Sequence, residues 1–413
     1  MSTLSPQSPT APTVVIRRHF PALERQHNGY PVAYFDGPGG TQVPRQVVDA
    51  MADYLYHHNA NTHWAYPTSE ETDLAIESSR VACADLLNAG RDEIVFGANM
   101  TSLTFHLSRA LASTFQRGDE VVVTELDHHA NVAPWHRLAI ERDVKIKTVR
   151  MDPKTGQLDW TSFHESLGPK TRLVAIGAAS NALGTINDVS MAVQAIHEVG
   201  ALAFVDAVHY VPHALADVRV WDCDFLAISA YKFYGPHIGV LFAKHDLLSR
   251  LDFPKLIPAP DYPPENAETG TQNQEGIVGA GAAIEFLASL SEGNTRRERL
   301  AISYRELHLR SNQLARMMWD GLADLTHVRL FGPSPSEPRT ATVAFTVDGI
   351  ASTEVARRLA EKGLFLSHGD FYAATVVERL GLGPEGLVRA GCSCYTSREE
   401  IERLTDAVKG LNG

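Results

Sequence analysis

The sequence predicts an α/β fold: a mostly parallel, seven-stranded sheet in a three-layer sandwich, followed by a smaller C-terminal α+β domain. Two observations carry this. Between residues 94 and 244, short apolar runs at 94–97, 121–126, 145–150, 171–177, 201–206, 225–228 and 238–243 are mostly separated by segments of helix length. Connections that long imply crossovers, and hence parallel strands covered on both faces. The chain of 413 residues is also too long for one small core. The segment 295–325, rich in Arg, Leu and Glu at helical spacing, reads as a long helix leading into a second unit. Strands of that unit are expected at 341–347, 364–367 and 387–391, with a last helix at 397–411. The expected division is a tail or arm over 1–30, a large domain over 31–290 and a small domain over 291–413.

Composition narrows the function class. A hydrophobic content of 44% without a run of membrane-spanning length argues for a globular protein that does not cross a membrane. A formal charge of −12 disfavours nucleic acid, because phosphate neutralisation needs clustered cations. The N-terminal residues 1–12 lack the apolar core of a signal peptide, so a cytoplasmic location is expected. The four cysteines, Cys83, Cys223, Cys392 and Cys394, are too few for a disulfide scaffold, and one C-x-C pair is thin support for metal, so none is expected.

Along the chain, Gly97-Ala-Asn-Met-Thr101-Ser102 follows a strand and opens a helix, a cradle suited to a phosphate. A plain capped helix is the competing account. His128, after the strand 121–126, could stack on an aromatic ligand or move a proton, or could simply face water with His129. Asn181 follows the strand 171–177, and Asp206 ends the strand 201–206, where α/β sheets place ligand-contacting groups. The run 224–243 brackets a polar bend carrying Ser229, Tyr231 and Lys232 between two buried strands. A lysine at the edge of an apolar sheet is partly desolvated, which frees its lone pair for Schiff-base chemistry, although an exposed turn lysine fits the same stretch. A lysine for an aldehyde and a carboxylate for a pyridine nitrogen are the two anchors of pyridoxal phosphate. Arg389 sits in a strand-like run, where a buried guanidinium needs a carboxylate, supplied either by a structural salt bridge or by an amino acid's α-carboxylate.

The runs Ser180-Asn181, Val205-Asp206-Ala207, Ser229-Ala-Tyr-Lys232-Phe-Tyr-Gly-Pro236 and Gly270-Thr271-Gln-Asn273 resemble the class V aminotransferase branch of fold-type I pyridoxal-phosphate enzymes, and within it the cysteine desulfurases. The likeness runs from Phe35-Asp36-Gly-Pro-Gly-Gly through Asn59-Ala-Asn-Thr-His63 and Glu125-Leu-Asp-His-His to Arg389 and Tyr395. It implies that Lys232 carries the cofactor, that Asp206 faces its ring nitrogen and that His128 stacks on the ring. Thr101, Ser102, Ser229 and a partner subunit's Thr271 would hold the phosphate, in a homodimer with composite sites. Asn181, His209 and Tyr231 would complete the cofactor contacts, with His209 standing where relatives carry glutamine and Tyr231 where they carry histidine. Arg389, Tyr372 and His63 would meet an amino-acid substrate. Tyr372 occupies the place where desulfurases carry the cysteine that takes up sulfur, and Ser367 replaces an arginine of the same segment.

The expected activity is Cα chemistry on an amino acid through an aldimine and a quinonoid, foremost β-elimination of the sulfur substituent of a cysteine S-conjugate or related amino acid. Transamination or epimerisation, desulfuration through a relocated thiol at Cys392 or Cys394, and a non-catalytic relative of the fold are the alternatives.

Overall fold

The computed structural model describes residues 9–411. Seven strands form the central sheet: β1 (Ile94–Gly97), β2 (Glu120–Thr124), β3 (Lys145–Val149), β4 (Thr171–Gly177), β5 (Leu202–Asp206), β6 (Phe225–Ser229) and β7 (Gly239–Ala243). Their order is β1-β7-β6-β5-β4-β2-β3. The run β6-β5-β4-β2-β3 is parallel, whereas β7 is antiparallel to both β6 and β1. The link over 230–238 is too short for a crossover, so the chain must turn back there, which makes this bend the one place where the parallel winding reverses.

Each strand serves two cores at once. In β6, Phe225 and Ala227 pack into one hydrophobic cluster while Leu226 and Ile228 pack into the other, and Val121 and Val122 of β2 divide the same way. A pleated strand sends successive side chains to opposite faces, so continuous apolar runs such as Phe-Leu-Ala-Ile are stable only when helices cover both faces. The expected three-layer sandwich is what the chain forms. Its helices include α1 (Met100–Leu111), opened by Asn99, whose side chain accepts from the Ser102 N–H at 2.9 Å, and α2 (Gln274–Ser289), opened by Asn273.

The long helix α3 (Arg296–Ala323) leads to a four-stranded antiparallel sheet. Its strands are β8 (Val328–Phe331), β9 (Thr342–Val347), β10 (Ser367–Gly369) and β11 (Leu387–Gly391), in the order β8-β9-β11-β10. A helix, α4 (Arg398–Lys409), closes the fold with a capping box at Ser397 and Glu400. Two details differ from the sequence expectation. Strand β8 was not foreseen, because its run Val-Arg-Leu-Phe is short and half-exposed. The expected strand 364–367 divides: Leu364–Phe365 pairs in parallel with Ala33–Tyr34, and the chain then turns so that β10 begins only at Ser367. Ala33 and Phe35 accordingly pack into the same core as Phe345 and Val388, which carries the Gly-rich segment 37–40 to the junction of the two sheets.

Candidate active site

The carboxyl ends of the parallel strands open onto a cavity of about 840 Å³. Lys232 lies at the end of the short helical turn Ala230–Lys232 that follows β6. Its Nζ donates to the carbonyl oxygens of Pro38 (2.6 Å) and Gly39 (2.8 Å). Burial, reinforced by Arg389 and opposed by Asp206 and Asp36, lowers its pKa to about 7. An amine in that range is neutral in a useful fraction at physiological pH, which is what attack on an aldehyde requires.

Asp206, at the end of β5, is buried and accepts from the Val208 N–H at 2.9 Å through Oδ1. Its burial raises the carboxyl to about 6. His128 begins the turn after β2, and its Nδ1 accepts from the Ala130 N–H at 3.0 Å. Burial and the nearby cations hold its pKa near 4, so the ring is neutral at physiological pH with its proton on Nε2. The Ser229 hydroxyl accepts from the Met100 N–H at 3.0 Å, pinning the end of β6 to the start of α1, where Thr101 and Ser102 are exposed to the cavity. Gly239 allows this approach: a Cβ there would sit 2.4 Å from the Asn99 backbone.

Arg389, on β11, is 3% exposed. Among the described residues no carboxylate forms an ion pair with it, so the structural salt bridge, the competing account of its burial, is not what holds it. Its Nη1 donates to the Asn181 carbonyl at 2.7 Å, and its Nη2 reaches the Ser367 hydroxyl at 3.4 Å. Its guanidinium lies 4.0 Å from the Phe371 ring centroid, and its Nε is buried without a partner. Burial lowers its pKa to about 9. His209 is buried, with Nε2 near the hydroxyls of Thr342 (3.1 Å) and Thr340 (3.2 Å) and Nδ1 unpartnered. Tyr231 stacks on His237 at 4.9 Å. Tyr372 is 74% exposed at the cavity mouth, its ring 5.6 Å from that of His128.

The structure therefore brings Lys232, Asp206, His128, Thr101, Ser102, Asn181, His209, Ser229, Tyr231, Tyr372 and Arg389 to one cavity. Two residues lie apart within this chain. Thr271 lines a neighbouring cavity of about 300 Å³ with Gly97, Ser102 and His106. His63 is exposed, left-handed at φ 65° and bound through its N–H to Asp73. Three residues were missed by the sequence reading. Asp127 is buried between the Gly177 N–H (2.8 Å) and Asn131 Nδ2 (3.0 Å), and its pKa is raised to about 8 by burial and Asp206. Asp36, raised to about 6 by burial, keeps an unpartnered Oδ1. Phe371 underlies Arg389. Asp127 and Asp36 stood inside quoted motifs, but nothing in the sequence singled out their burial.

Pyridoxal phosphate fits these residues. An activated amine, a buried carboxylate, a neutral ring beside them and exposed hydroxyls at a helix N-terminus meet its aldehyde, pyridine nitrogen, ring face and phosphate in turn. Unpartnered atoms on Arg389, Asn181 and His209 show that the site's hydrogen bonding is incomplete without a ligand.

Fold and site together define a pyridoxal-phosphate-dependent enzyme of fold type I. The aminotransferase class-V family model matches residues 33–404, and the chain belongs to that family. It is 32% identical to a probable cysteine desulfurase of Streptomyces coelicolor, over 96% of each chain. It is 30% identical to a cysteine desulfurase of Synechococcus elongatus, covering 96% of this chain and 63% of that protein's length. The solved cysteine desulfurase of Thermococcus onnurineus superposes with a TM-score of 0.87 at 28% identity, over the whole of both chains.

Proposed function

We propose that this enzyme cleaves the C–S bond of cysteine and delivers the sulfur to an acceptor outside its own chain. The observation that carries the reading is the contrast between a complete amino-acid site and four thiols kept away from it. Cys83, Cys223, Cys392 and Cys394 are all buried, none lines the cavity, and Tyr372 stands at its mouth. Relatives described as cysteine desulfurases support cysteine as the substrate in preference to a bulky S-conjugate.

Bound pyridoxal phosphate supplies an electron sink for charge developing at the substrate's Cα. Arg389 takes the α-carboxylate with its guanidinium, which orients Cα toward Lys232. Asp206 would hold a proton at the pyridine nitrogen, and neutral His128 would lie against the ring and exclude water there. Lys232, as a neutral amine, would remove the Cα proton. Loss of the Cβ–S electron pair to sulfur, with a proton, yields hydrogen sulfide; the three-carbon remainder takes up water to give pyruvate and ammonia. If the thiolate of an added acceptor attacks the substrate sulfur instead, the Cβ–S electron pair goes to Cβ and takes up a proton, leaving alanine and a persulfide on the acceptor. Mass analysis of products from cysteine, with and without a dithiol, tests the reading: alanine or pyruvate supports it, and cysteine recovered intact from cofactor-loaded enzyme sinks it.

A second reading, elimination from an S-substituted cysteine, is favoured by the size of the cavity, about 840 Å³. Release of a thiol from a cysteine S-conjugate at a higher kcat/KM than for cysteine would select it. Thr271 supports assembly as a homodimer in which it reaches the partner's phosphate. Sedimentation showing a monomer with full cofactor occupancy would contradict that assembly.

A further inference from the structure

A buried arginine without a carboxylate is under-compensated, yet Arg389 must keep its fork aimed into the cavity before any substrate arrives. Its contacts divide by geometry. The Asn181 carbonyl takes one end of the guanidinium at 2.7 Å, the Ser367 hydroxyl sits at 3.4 Å from the other, and the Phe371 ring lies against the cation, 4.0 Å from centroid to central carbon. The Nε is buried and has no partner.

The ring reaches that place through an uncommon backbone. Phe371 and Tyr372 are successive left-handed residues, at φ 57° and 56°, a conformation that bulky side chains seldom adopt even singly. Hydrogen bonds hold the step. Asn181 Nδ2 donates to the Phe371 carbonyl (2.9 Å), the His129 N–H donates to the Tyr372 carbonyl (2.8 Å), and Asp370 Oδ1 accepts from the Tyr372 N–H (2.9 Å). Asn181 thus binds Arg389 with its backbone and Phe371 with its side chain, tying both to the loop after β4.

We propose that Phe371 is a positioning residue for substrate recognition: its ring face fixes the Arg389 guanidinium for an incoming α-carboxylate without neutralising it. An aspartate in the same place would hold the arginine equally well but would compete with the substrate for its charge. A π face attracts the cation and leaves its full charge for the ligand. The inference rests on Arg389 as the carboxylate site.

The test uses cofactor-loaded enzyme and the absorbance change of bound pyridoxal phosphate on titration with L-alanine, or with ethylamine, which lacks a carboxylate. Phe371→Leu keeps bulk but removes the π face. It is expected to weaken L-alanine by about 3- to 30-fold, the range from an exposed to a desolvated cation–π contact, while ethylamine binding stays unchanged and Phe371→Tyr restores L-alanine. Equal weakening of both amines, or no weakening of either, overturns the proposal. Arg389→Lys separates the two layers. If it leaves L-alanine binding intact, the carboxylate assignment fails; if it weakens L-alanine while Phe371→Leu does not, only the role of Phe371 fails.

Discussion

Lys232 and the pair Cys392–Cys394 meet the same physical force with opposite results. Burial lowers the Lys232 amine to about 7 and raises both thiols to about 12. Desolvation always disfavours the charged form. For an amine the neutral form is the nucleophile, so burial switches it on; for a thiol the anion is the nucleophile, so burial switches it off. The comparison shows how one sheet-and-helix scaffold can hold a reactive amine and keep its own sulfur chemistry silent without any special shielding element.

The sharpest way to break the comparison is to remove the amine. Lys232→Ala is expected to abolish covalent attachment of the cofactor, read as resistance to borohydride fixation, and to lower turnover by about 10³-fold, the scale of a lost acid–base group. A variant that still fixes the cofactor would place the linkage elsewhere. The next largest effect is in pH. Incorporation of pyridoxal phosphate into apo-protein should fall about tenfold per pH unit below the Lys232 value near 7 and level off above it. Because the amine is depressed in the fold, the unfolded chain binds the extra proton between that value and the ordinary lysine value. Stability of the apo-protein from this group therefore rises with pH across that window. A rate profile with a midpoint near 10 would show an ordinary exposed lysine.

The sequence made the sheet legible because doubly buried strands are continuous apolar runs. All seven expected runs became strands, with Asp206 at the end of β5 and Lys232 in the short turn after β6. The failures share a cause. Strand β8 is half-exposed and amphipathic over only four residues, too short for a period to register. For Arg389 the sequence left a substrate carboxylate or a structural salt bridge open, and of these the salt bridge is not formed. The actual arrangement depends on Phe371 adopting a left-handed φ of 57°, which no local propensity announces. Asp127 and Asp36 owe their raised values to burial among distant segments, again a tertiary property.

A smaller effect is expected at the cavity mouth. Tyr372→Phe removes a phenol that is 74% exposed, so it should change KM for an amino acid by a few-fold, about the worth of one solvated hydrogen bond, and leave cofactor attachment intact. Tyr372→Cys would sharpen the contrast between thiols. A cysteine there would be accessible and should react with a disulfide reagent at the rate of a free thiol, whereas Cys392 and Cys394 in the same protein should not. Efficient capture of the substrate's sulfur by the new thiol is not expected from that change alone, since the resemblance also implies an arginine where Ser367 stands.

The smallest effect is the most telling for the proposed fate of sulfur. Cys392 packs with Phe345 and Val388 in the core beside the four-stranded sheet, the Cys394 N–H donates to the Tyr234 hydroxyl at 3.0 Å, and neither residue lines the cavity. Replacing either by alanine deletes one buried sulfur and should cost about 1 kcal/mol of stability, visible as a modest drop in Tm. Turnover of cysteine should stay within about twofold, because a thiol held near 12 carries almost no anion at neutral pH. If Cys392→Ala or Cys394→Ala instead abolishes turnover while Lys232 still fixes the cofactor, then burial does not silence that thiol in the working enzyme, and the sulfur passes through it.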